Sequence, residues 1–503
     1  MRNNTGSAQE RVGRNSGALA AIEGKMADRF DLVIIGAGPG GYVAAIKGAK
    51  LGLTVAVVEN REVGGTCLNR GCIPAKAMIH ASQLYREMKE GGQFGIFAEN
   101  VRYEYDKILE YKEGTSGSLR QGVEQLFKAN GVTLVKGTGA LQADKTVLVT
   151  GCEGEEESRV LKGKHVLLAS GSKPMNLPIQ GLDLPGVLTS DRLFELKRAP
   201  ESLLIIGGGV IGAEFASVFS SLGIRVTIVE ALPRLLANLD KDISQNLKMI
   251  LKKRGIKIYT GATVKRIEET KHGLACVFEE KGEEKREEAD YVLSAAGRVP
   301  ETEKLLGPGT ELAMERGRIV VDSNFETSME GVYAIGDVIK GIQLAHVASA
   351  QGVWVAEHLA GTGHSIDLSI VPSCVYTSPE IASVGLTEDE AAQAGIPVSV
   401  GKFLMSANGK SQISREERGF IKIIAEADTK VVLGAQMMCA RATDMIGEMA
   451  TAAANKLTVP QLLLGMRAHP TYNEAVGEAL EELEGGSIHT VPRQAPGKLR
   501  GKR

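Results

Sequence analysis

Short uninterrupted runs of apolar residues give this chain its most regular pattern. One run, from Asp31 to Ile35, leads into a glycine-rich turn and then into an alanine-rich stretch that reaches Lys50. A second apolar run begins at Leu53 and ends on Glu59. Apolar runs without polar alternation are typical of strands that are buried on both faces of a parallel sheet. The order therefore predicts a strand, a helix and a second strand parallel to the first.

The same pattern returns later in the chain in the same register. Gly207 lies 171 positions after Gly36, and each begins a Gly-x-Gly-x-x-Gly sequence that follows an apolar run. The acidic residue that ends the second strand recurs at the same offset, as Glu59 and Glu230. One such glycine sequence is a weak indication of a nucleotide site, whereas two complete units in register are a strong one. They predict an α/β fold with two Rossmann-like dinucleotide-binding domains.

Each glycine of the sequence has a separate role in binding a dinucleotide. The first permits a tight turn, the second lets the backbone approach a pyrophosphate, and the third lets the helix pack on the strand. The helix N-terminus then faces the anion. The acidic residue accepts hydrogen bonds from a ribose diol and repels a 2′-phosphate, so Glu230 favours NAD over NADP. The glycines concerned are Gly36, Gly38 and Gly41 in the first unit and Gly207, Gly209 and Gly212 in the second.

Composition narrows the class of protein. A chain of 503 residues is long enough for several domains, and its 43% hydrophobic and 24% charged residues are typical of a globular protein. A net charge of −2 argues against a general nucleic-acid binder. No apolar run reaches the ~20 residues of a membrane helix. Six cysteines in this length do not make a disulfide scaffold, so we expect a reducing, cytoplasmic location.

The two ends of the chain differ from the rest. Residues 1–25 are rich in Asn, Gly, Ser and Arg and lack an apolar core segment, so they are not a secretory signal. Residues 484–503 form a basic tail, which from Gly485 onwards contains no acidic side chain. We expect both segments to be disordered extensions, and the charge of the tail could contact an acidic partner.

The pair Cys67 and Cys72 is the strongest indication of chemistry. The two cysteines are five positions apart and follow the first dinucleotide-binding unit by a few residues. A pair at this spacing can close a small loop as a disulfide, which would store two electrons next to a redox cofactor. Zinc is the alternative, but it needs about four ligands, and no second close Cys or Cys/His pair occurs. The remaining cysteines are isolated and predicted to be small buried thiols: Cys152, Cys276, Cys374 and Cys439.

At these residues the sequence resembles the pyridine nucleotide–disulfide oxidoreductases, over roughly residues 27–483. Further marks of that family follow the cysteine pair in order: Ala169–Pro174, Gly297–Pro300, Ala334–Asp337, Leu344–His346 and His469–Glu474. The resemblance implies four domains. They are an FAD-binding domain at residues 26–177, an NAD-binding domain at 178–296, a central domain at 297–371 that completes the FAD site, and a C-terminal α+β dimerisation domain at 372–483.

The resemblance also implies which residues bind the two cofactors, and it implies no metal. Asp337 would hold the ribityl chain of the flavin, and Leu344–His346 would lie along the pyrimidine side of its ring. The residues expected to bind FAD are Gly36, Gly38, Gly41, Glu59, Gly65, Thr66, Lys76, Gly139, Ser170, Gly171, Ser172, Gly336, Asp337, Leu344, Ala345 and His346. Those expected to bind NAD are Gly207, Gly209, Gly212, Glu214, Glu230, Val264 and Gly297.

The chemistry that the resemblance implies is the transfer of two electrons from a dithiol to NAD. Cys67 would exchange with the substrate and Cys72 would meet the flavin. Cys72 also begins a predicted helix, whose positive end favours a thiolate. Lys76 would lie near the reactive edge of the flavin, with Glu214 as its ion-pair partner.

His469 is the candidate base, and Glu474, five residues later, is the candidate for its anchor. If the carboxylate fixes the imidazole, it sets the tautomer and stabilises the imidazolium. In the family this pair comes from the opposite subunit of a homodimer. The marks fit best the members that oxidise protein-bound dihydrolipoamide, whose partners are the lipoyl domains of acyltransferase or glycine cleavage components.

Other activities stay open at this point. Glutathione-type reductases use NADPH, which the charge of Glu230 disfavours. Mercuric-type reductases need an extra C-terminal cysteine pair, and none follows Cys439. A flavoprotein scaffold, or one that reduces only dyes, would have no use for the cysteines together with His469 and Glu474.

Overall fold

The computed structural model describes residues 28–151, 158–364, 366–416 and 418–490. The predicted N-terminal extension, residues 1–25, lies outside the described residues, as do residues 491–503 of the predicted tail. Cys152 also lies outside them, so its burial stays a prediction.

The helices are labelled here in chain order over the described residues. They are α1 Pro39–Lys50, α2 Gly65–Arg70, α3 Cys72–Glu90, α4 Tyr105–Ala129, α5 Ser190–Leu193, α6 Val210–Ser221, α7 Lys241–Lys253, α8 Ala345–Leu359, α9 Glu388–Gln393, α10 Gly409–Ser414, α11 Ala442–Ala454, α12 Val459–Leu463 and α13 Glu474–Leu483. Helices α1 and α6 begin within the two glycine sequences, as predicted. None of the helices in the described ranges combines the length and the apolar content that a membrane span needs.

The strands follow the same convention. They are β1 Asp28–Ile35, β2 Val55–Glu59, β3 Thr133–Lys136, β4 Thr138–Leu141, β5 Thr146–Thr150, β6 Arg159–Leu168, β7 Ser172–Pro174, β8 Val187–Thr189, β9 Ser202–Ile206, β10 Arg225–Glu230, β11 Lys257–Thr260, β12 Ala262–Thr270, β13 Gly273–Glu280, β14 Glu283–Ala289, β15 Tyr291–Ser294, β16 Arg298–Pro300, β17 Met314–Glu315, β18 Arg318–Ile319, β19 Val332–Ala334, β20 Ser373–Val375, β21 Glu380–Gly385, β22 Val398–Leu404, β23 Phe420–Glu426 and β24 Val432–Cys439. The apolar runs of the sequence correspond to β1, β2, β9 and β10.

Two compact units divide the described chain. The first comprises the residues up to Asn69 together with Ser116–Lys173 and Arg298–Ile366. The second comprises Arg70–Thr115, Pro174–Gly297 and the residues from Asp367 onwards. The predicted domain limits after residues 177, 296 and 371 each lie within a few residues of a division between the units. The four-domain division itself stays a prediction.

The first unit is built on a sheet of strand order β3-β2-β1-β6-β5-β4. Strands β3, β2, β1 and β6 are parallel, and β19 adds to the last residues of β6 in the same direction. Strand β1 is fully buried at Leu32, Val33 and Ile34, as expected for a central strand that helices or further strands cover on both faces. This is the doubly wound order, in which a ligand binds where the chain reverses direction beside β1.

The second unit repeats that order in a sheet of strands β11-β10-β9-β15-β8, all parallel. It also holds the antiparallel strands β12-β13-β14 and a C-terminal antiparallel sheet of order β20-β21-β24-β23-β22. Helix α13 packs its apolar residues Ala475, Val476, Ala479 and Leu480 into the core of the C-terminal sheet. The predicted fold class, with two Rossmann-like domains and a C-terminal α+β domain, is confirmed.

A buried charge cluster lies in the second unit around Lys422. Its side chain is 1% exposed, and its ammonium nitrogen is 2.9 Å from Asp240, 2.9 Å from Asp242 and 2.7 Å from Glu388. Burial alone would lower the pKa of Lys422, but the hydrogen bonds to Glu388, Asp242 and Asp240 outweigh it and raise the pKa above its usual range. Lys422 thus contacts three carboxylates, from the cap and first turn of α7 and from the first residue of α9, and Lys402 adds a second cation 2.8 Å from Asp242.

We expect Lys422→Met to lower the free energy of unfolding by about 3–5 kcal/mol, because it leaves the buried Asp240 carboxylate without its cation. Urea unfolding of the whole protein, followed by circular dichroism, measures the change. Lys241→Met is the matched control, because that lysine pairs with Asp389 where both side chains are about half exposed. Equal unfolding midpoints for the two variants would contradict the prediction.

Candidate active site

The two glycine sequences adopt the same geometry. Gly36 has φ +104° and Gly207 has φ +107°, and residues that carry a Cβ atom rarely adopt such positive φ angles. A Cβ at Gly36 would meet the carbonyl oxygen of Ala169 at 2.4 Å, and one at Gly207 would meet that of Ala295 at 2.6 Å. Each first glycine is therefore required by a tight turn against a neighbouring strand end.

The second glycine of each sequence faces open space. A Cβ added at Gly38 or at Gly209 would meet no heavy atom within 4 Å. Both residues are the N-caps of the helices that follow, α1 and α6. Backbone N–H groups at a helix N-terminus are an anion site, so both turns fit the pyrophosphate of a dinucleotide.

The two terminal glutamates make matching hydrogen bonds. Glu59 accepts from the backbone N–H groups of Ala37 and Arg61, each at 2.8 Å. Glu230, 171 positions later, accepts from Gly208 and from Leu232, in the same relative positions. Each carboxylate oxygen keeps acceptor capacity for a second donor. The geometry fits two ribose diols, one in each unit.

Asp337 lies in the 3-10 turn Gly336–Val338 that follows β19 in the first unit. Its carboxylate accepts a hydrogen bond of 2.6 Å from the Ser172 hydroxyl, which in turn accepts one of 2.8 Å from Arg298. Ser170 donates to the carbonyl of Glu301 at 2.7 Å, and the carbonyl of Gly171 accepts from the Glu301 N–H at 2.9 Å. The structure thus brings together Ser170–Ser172 and Asp337 as the resemblance implied.

Leu344, Ala345 and His346 form the cap and first turn of α8. A helix N-terminus stabilises negative charge, and the contact of these three residues with a flavin stays a prediction. Sequence analysis assigned no role to Gln351 on the same helix, whose side-chain oxygen accepts from the Gly336 N–H at 2.8 Å. No spacing signal marks this residue, since the contact depends on the approach of α8 to the turn after β19.

Three other residues expected at the FAD site differ in their surroundings. Gly65 packs on the glycine turn, since its Cβ would lie 2.7 Å from the Cα of Gly38. Thr66 is half-buried in the first turn of α2. Gly139 is buried, and a Cβ there would meet Val58 at 3.1 Å. Close packing against Val58 explains why a glycine occupies position 139, and its contact with the cofactor stays a prediction.

Val264 and Gly297 lie in the second unit. Val264 is in β12 beside an irregularity in its pairing with β13, and it packs against the apolar cluster of the nucleotide-binding sheet. Gly297 has φ +123°, and its carbonyl accepts from the Met175 N–H at 3.0 Å. Their contact with a nicotinamide nucleotide stays a prediction.

The cysteine pair lies on two successive helices. Cys67 is in α2, and Cys72 is the first residue of α3, a helix of 19 residues capped by Gly71. Both cysteines are half-buried. The positive end of α3 favours the thiolate of Cys72.

The chain before Cys67 is docked on the first glycine turn. The Gly64 N–H donates to the Ala37 carbonyl at 2.8 Å. Asn69 closes α2 by donating to the carbonyls of Val63 and Gly65 at 3.0 and 2.9 Å, and it accepts from Arg120 at 3.0 Å. These contacts fix Cys67 relative to the turn that would hold the FAD pyrophosphate.

Lys76 and Glu214 form the predicted ion pair. The ammonium nitrogen lies 3.0 and 2.9 Å from the two carboxylate oxygens, and the Glu214 side chain is only 6% exposed. Glu214 also accepts from the Tyr376 N–H at 3.0 Å, and the Lys76 ammonium lies 4.5 Å from the centre of the Tyr376 ring. Lys76 is one turn of α3 after Cys72, so the pair holds a cation near that sulfur. Sequence reasoning missed Tyr376, which no motif marks.

His469 and Glu474 also come together as predicted. The Nδ1 atom of His469 lies 2.8 Å from Oε1 of Glu474, and the other carboxylate oxygen accepts from the Thr471 N–H at 2.8 Å. Burial alone would raise the pKa of Glu474, but the Thr471 N–H and the imidazole outweigh it and lower the pKa. The carboxylate therefore stays ionised and fixes the ring, while the imidazole itself is 77% exposed.

A second carboxylate, which sequence reasoning missed, holds the segment that carries His469. Glu448 accepts from Arg467 at 2.6 Å and from the Asn473 side chain at 2.9 Å. Arg467 lies two residues before His469, and Asn473 lies between His469 and Glu474. Glu448 lies on α11, where no sequence motif marks it, so its role is visible only from the contacts between α11 and this segment.

The other described cysteines are not arranged for chemistry. Cys276 and Cys439 are fully buried, as predicted, whereas Cys374 is half-buried. Burial raises the pKa of Cys276 to about 12 and that of Cys374 to about 11, and it raises the pKa of Cys439 as well. All three stay thiols at neutral pH.

Two family models match the chain. The model described as pyridine nucleotide-disulphide oxidoreductase matches residues 30–352. The model of the dimerisation domain of the same family matches residues 371–480. Together they support flavin and pyridine nucleotide binding and a homodimer.

Proteins of known name are similar over nearly the whole chain. The chain is 40% identical over 474 residues to dihydrolipoyl dehydrogenase of Bacillus subtilis, which covers 92% of this chain and 100% of that protein. It is 39% identical over 470 residues to the protein of the same name from Chlamydia pneumoniae, covering 93% and 100%.

Solved structures agree with these matches. LpdA from Mycobacterium tuberculosis superposes with a TM-score of 0.83 at 27% identity, over 91% of this chain and all of that one. The HOCl-induced flavoprotein disulfide reductase RclA from Escherichia coli gives a TM-score of 0.79 at 28% identity, over 90% and 99%. The fold, the paired glycine turns and these matches lead to one conclusion: the chain belongs to the pyridine nucleotide-disulphide oxidoreductase family.

Proposed function

We propose that this protein is a dihydrolipoyl dehydrogenase that oxidises protein-bound dihydrolipoamide and reduces NAD⁺. The observation that carries the proposal is the pair of Cys67 and Cys72. Cys72 begins α3, at its positive end, and the segment before Cys67 is hydrogen-bonded to the first glycine turn. The relatives named dihydrolipoyl dehydrogenase, at 40% and 39% identity, support the choice of substrate.

The cysteines carry the thiol exchange. The oxidised form of the enzyme would hold Cys67 and Cys72 as a disulfide. A substrate thiolate attacks the sulfur of Cys67, which breaks the Cys67–Cys72 bond, forms a mixed disulfide with Cys67 and releases Cys72 as a thiolate. The second substrate thiolate then attacks the substrate sulfur of that mixed disulfide, so lipoamide leaves as a cyclic disulfide and Cys67 is released. The positive end of α3 and the Lys76 ammonium both stabilise the Cys72 thiolate.

His469 accepts the proton of the incoming dithiol. Because Nδ1 faces Glu474, the other ring nitrogen, Nε2, is left to take the proton. The exposed imidazole lies within the matched dimerisation domain, which supports a base that reaches the redox pair of the other subunit. Each active site then needs both subunits.

The cofactors are FAD in the first unit and NAD in the second. Bound FAD would take the electron pair from the reduced cysteines and pass it to NAD⁺ as a hydride. The residues that would hold FAD are the turn at Gly36–Gly41, Glu59, Ser172 with Asp337, and the first turn of α8. Those for NAD are the turn at Gly207–Gly212 and Glu230, whose charge disfavours the 2′-phosphate of NADP.

The proposed partners follow from the substrate. Dihydrolipoamide is carried on lipoyl domains, so this dimer would serve an acyltransferase component of a 2-oxoacid dehydrogenase complex or the glycine cleavage system. A cytoplasmic location stays a prediction.

Anaerobic assay of the purified yellow holoprotein with two substrates and two nucleotides tests the proposal. We expect NADH to form from dihydrolipoamide and NAD⁺, and little NADPH to form when NADP⁺ replaces NAD⁺, because of the Glu230 charge. The reverse assay uses glutathione disulfide with NADPH, and with NADH, and should give no turnover. Robust NADPH-linked reduction of glutathione disulfide would overturn the substrate and the nucleotide together. Dye reduction without any dithiol turnover would favour the scaffold alternative.

A further inference from the structure

Two arginines converge on one hydroxyl group in the second unit. Arg86 lies on α3, and Arg254 is the C-cap of α7. Each donates a hydrogen bond from Nη2 to the hydroxyl oxygen of Ser378, at 2.9 Å from Arg86 and at 3.2 Å from Arg254. Ser378 lies in the turn between β20 and β21. Two guanidinium groups from different helices therefore share one neutral acceptor.

Neither guanidinium group is hydrogen-bonded to a carboxylate within the described ranges of the chain. Arg86 forms an ion pair with Glu90, one turn later on α3, but its Nε is 4.0 Å from the carboxylate and the Glu90 side chain is 58% exposed. An exposed pair of this kind contributes little. The Nη1 atoms of Arg86 and Arg254 are both buried and have no hydrogen-bond partner among the described residues. Buried donors without a partner are costly, so both nitrogens require an acceptor that the described chain does not supply.

The two cations also repel each other. The pKa of Arg254 is lowered to about 10, mainly by burial and further by the charge of Arg86, which the charge of Glu90 partly opposes. Both arginines still carry their charge at neutral pH. The C-terminal end of α7 stabilises a cation at its cap, but a helix end has only about half an elementary charge and does not offset two guanidinium groups. The cluster therefore has an excess of positive charge.

We propose that Arg86, Arg254 and Ser378 form a binding site for a small oxyanion such as inorganic phosphate. Guanidinium groups bind the oxygens of such anions through pairs of N–H donors, and the serine hydroxyl can donate to the same ion. All three residues are half-buried, so the site reaches solvent. Because both Nη1 atoms are buried, the ends of the two arginine side chains must turn towards the ion when it binds. The inference is independent of the proposed function, since none of the three residues takes part in the thiol exchange.

An ion at this site would join three segments of the second unit. Helix α3 also carries Cys72 and Lys76, and α7 lies between strands β10 and β11 of the parallel sheet. Ser378 is two residues after Tyr376, whose N–H donates to Glu214 and whose ring lies 4.5 Å from the Lys76 ammonium. The bound ion would therefore stabilise the packing around the Lys76–Glu214 pair.

Equilibrium dialysis of the holoprotein against radiolabelled phosphate tests the inference. Saturating NAD⁺ is present, so that the glycine turns are occupied by dinucleotides and do not bind the label. We expect one phosphate per chain, and Arg86→Met and Arg254→Met should each weaken its binding by about 10–100-fold, the usual effect of losing hydrogen bonds to a charged group. Arg266→Met is the matched control and should bind as the wild type does, because that arginine already pairs with Glu268 and Glu284. A wild-type protein that binds no phosphate up to millimolar concentrations, or unchanged binding in both variants, would overturn the inference.

Two variants of Ser378 decide the matter if the arginine variants do not fold. Ser378→Glu places a carboxylate beside the two guanidinium groups, whereas Ser378→Gln adds a side chain of the same size without the charge. The thermal unfolding midpoint of the wild type should rise with phosphate relative to chloride of equal ionic strength, because the ion binds the folded protein. Ser378→Glu should unfold at a higher temperature than Ser378→Gln and should not respond to phosphate.

A Ser378→Glu protein that is no more stable than Ser378→Gln, and that responds to phosphate as the wild type does, would contradict the inference. Neither measurement uses a dithiol substrate. If the holoprotein does not oxidise dihydrolipoamide, the proposed function fails, and both measurements still decide whether the oxyanion site exists.

Discussion

Replacing Cys67 by serine should abolish the oxidation of dihydrolipoamide while the flavin stays bound. A serine hydroxyl cannot form a disulfide with Cys72, so the electron store is lost, and kcat should fall by at least about 10⁴-fold, the order seen when an enzyme loses its nucleophile. The flavin should remain because the turn at Gly36–Gly41, Glu59 and Asp337 do not depend on that sulfur. Steady-state NADH formation and the ratio of flavin to protein measure the two effects.

The reduction of a dye by NADH gives the internal control for this variant. That reaction needs both nucleotide sites and not the cysteine pair, so it should persist in Cys67→Ser. Cys276→Ala is the matched cysteine control, because Cys276 is buried in β13 with no role in the mechanism. Retained dithiol turnover in Cys67→Ser would remove Cys67 from its proposed place as the interchange thiol.

His469→Gln should lower kcat/KM for dihydrolipoamide by about 10²–10⁴-fold, the usual cost of losing a general base. Glutamine can still donate to Glu474 and fill the space, but it cannot take the proton of the substrate thiol. Glu474→Gln should cost less, because it weakens the anchor and leaves the imidazole in place. Both values come from initial rates at one neutral pH and saturating NAD⁺.

Two comparisons make the His469 result interpretable. The loss should shrink as pH rises, because at alkaline pH more of the substrate arrives already as thiolate. Dye reduction by NADH should be unaffected in both variants. A His469→Gln enzyme with undiminished turnover at neutral pH would exclude this residue as the base.

The cofactor units were predictable because their signals are local. The apolar runs, the glycine turns and the glutamates lie within about thirty residues of one another in each unit, and the repeat doubles the signal. The start of β1 was less predictable. The run indicates Asp31, whereas the strand begins at Asp28, because Asp28–Phe30 pair with Leu161–Gly163 of β6. The polar residues Asp28 and Arg29 join the sheet by pairing with β6, a strand more than 100 positions away that the sequence around Asp28 does not indicate.

The contacts that sequence reasoning could not give join distant segments. Lys422 is 182 positions from Asp240 along the chain, and its burial in a charge cluster contradicts the ordinary expectation for a lysine. Glu448 and Gln351 carry no motif, yet each fixes a segment with predicted site residues. The ion pair of Lys76 with Glu214 was predicted from the resemblance alone, since spacing does not pair residues 138 positions apart.

The hydrogen bonds of Glu59 and Glu230 bear on any redesign of nucleotide preference. Each carboxylate accepts hydrogen bonds from two backbone N–H groups of its own loop, so it stabilises the loop independently of any bound ribose. A positive residue at position 230 would therefore favour a phosphate, but it would also leave two backbone N–H groups, those of Gly208 and Leu232, without their acceptor. A successful switch to the phosphorylated coenzyme must supply a substitute acceptor for those protons, which a single exchange to arginine does not.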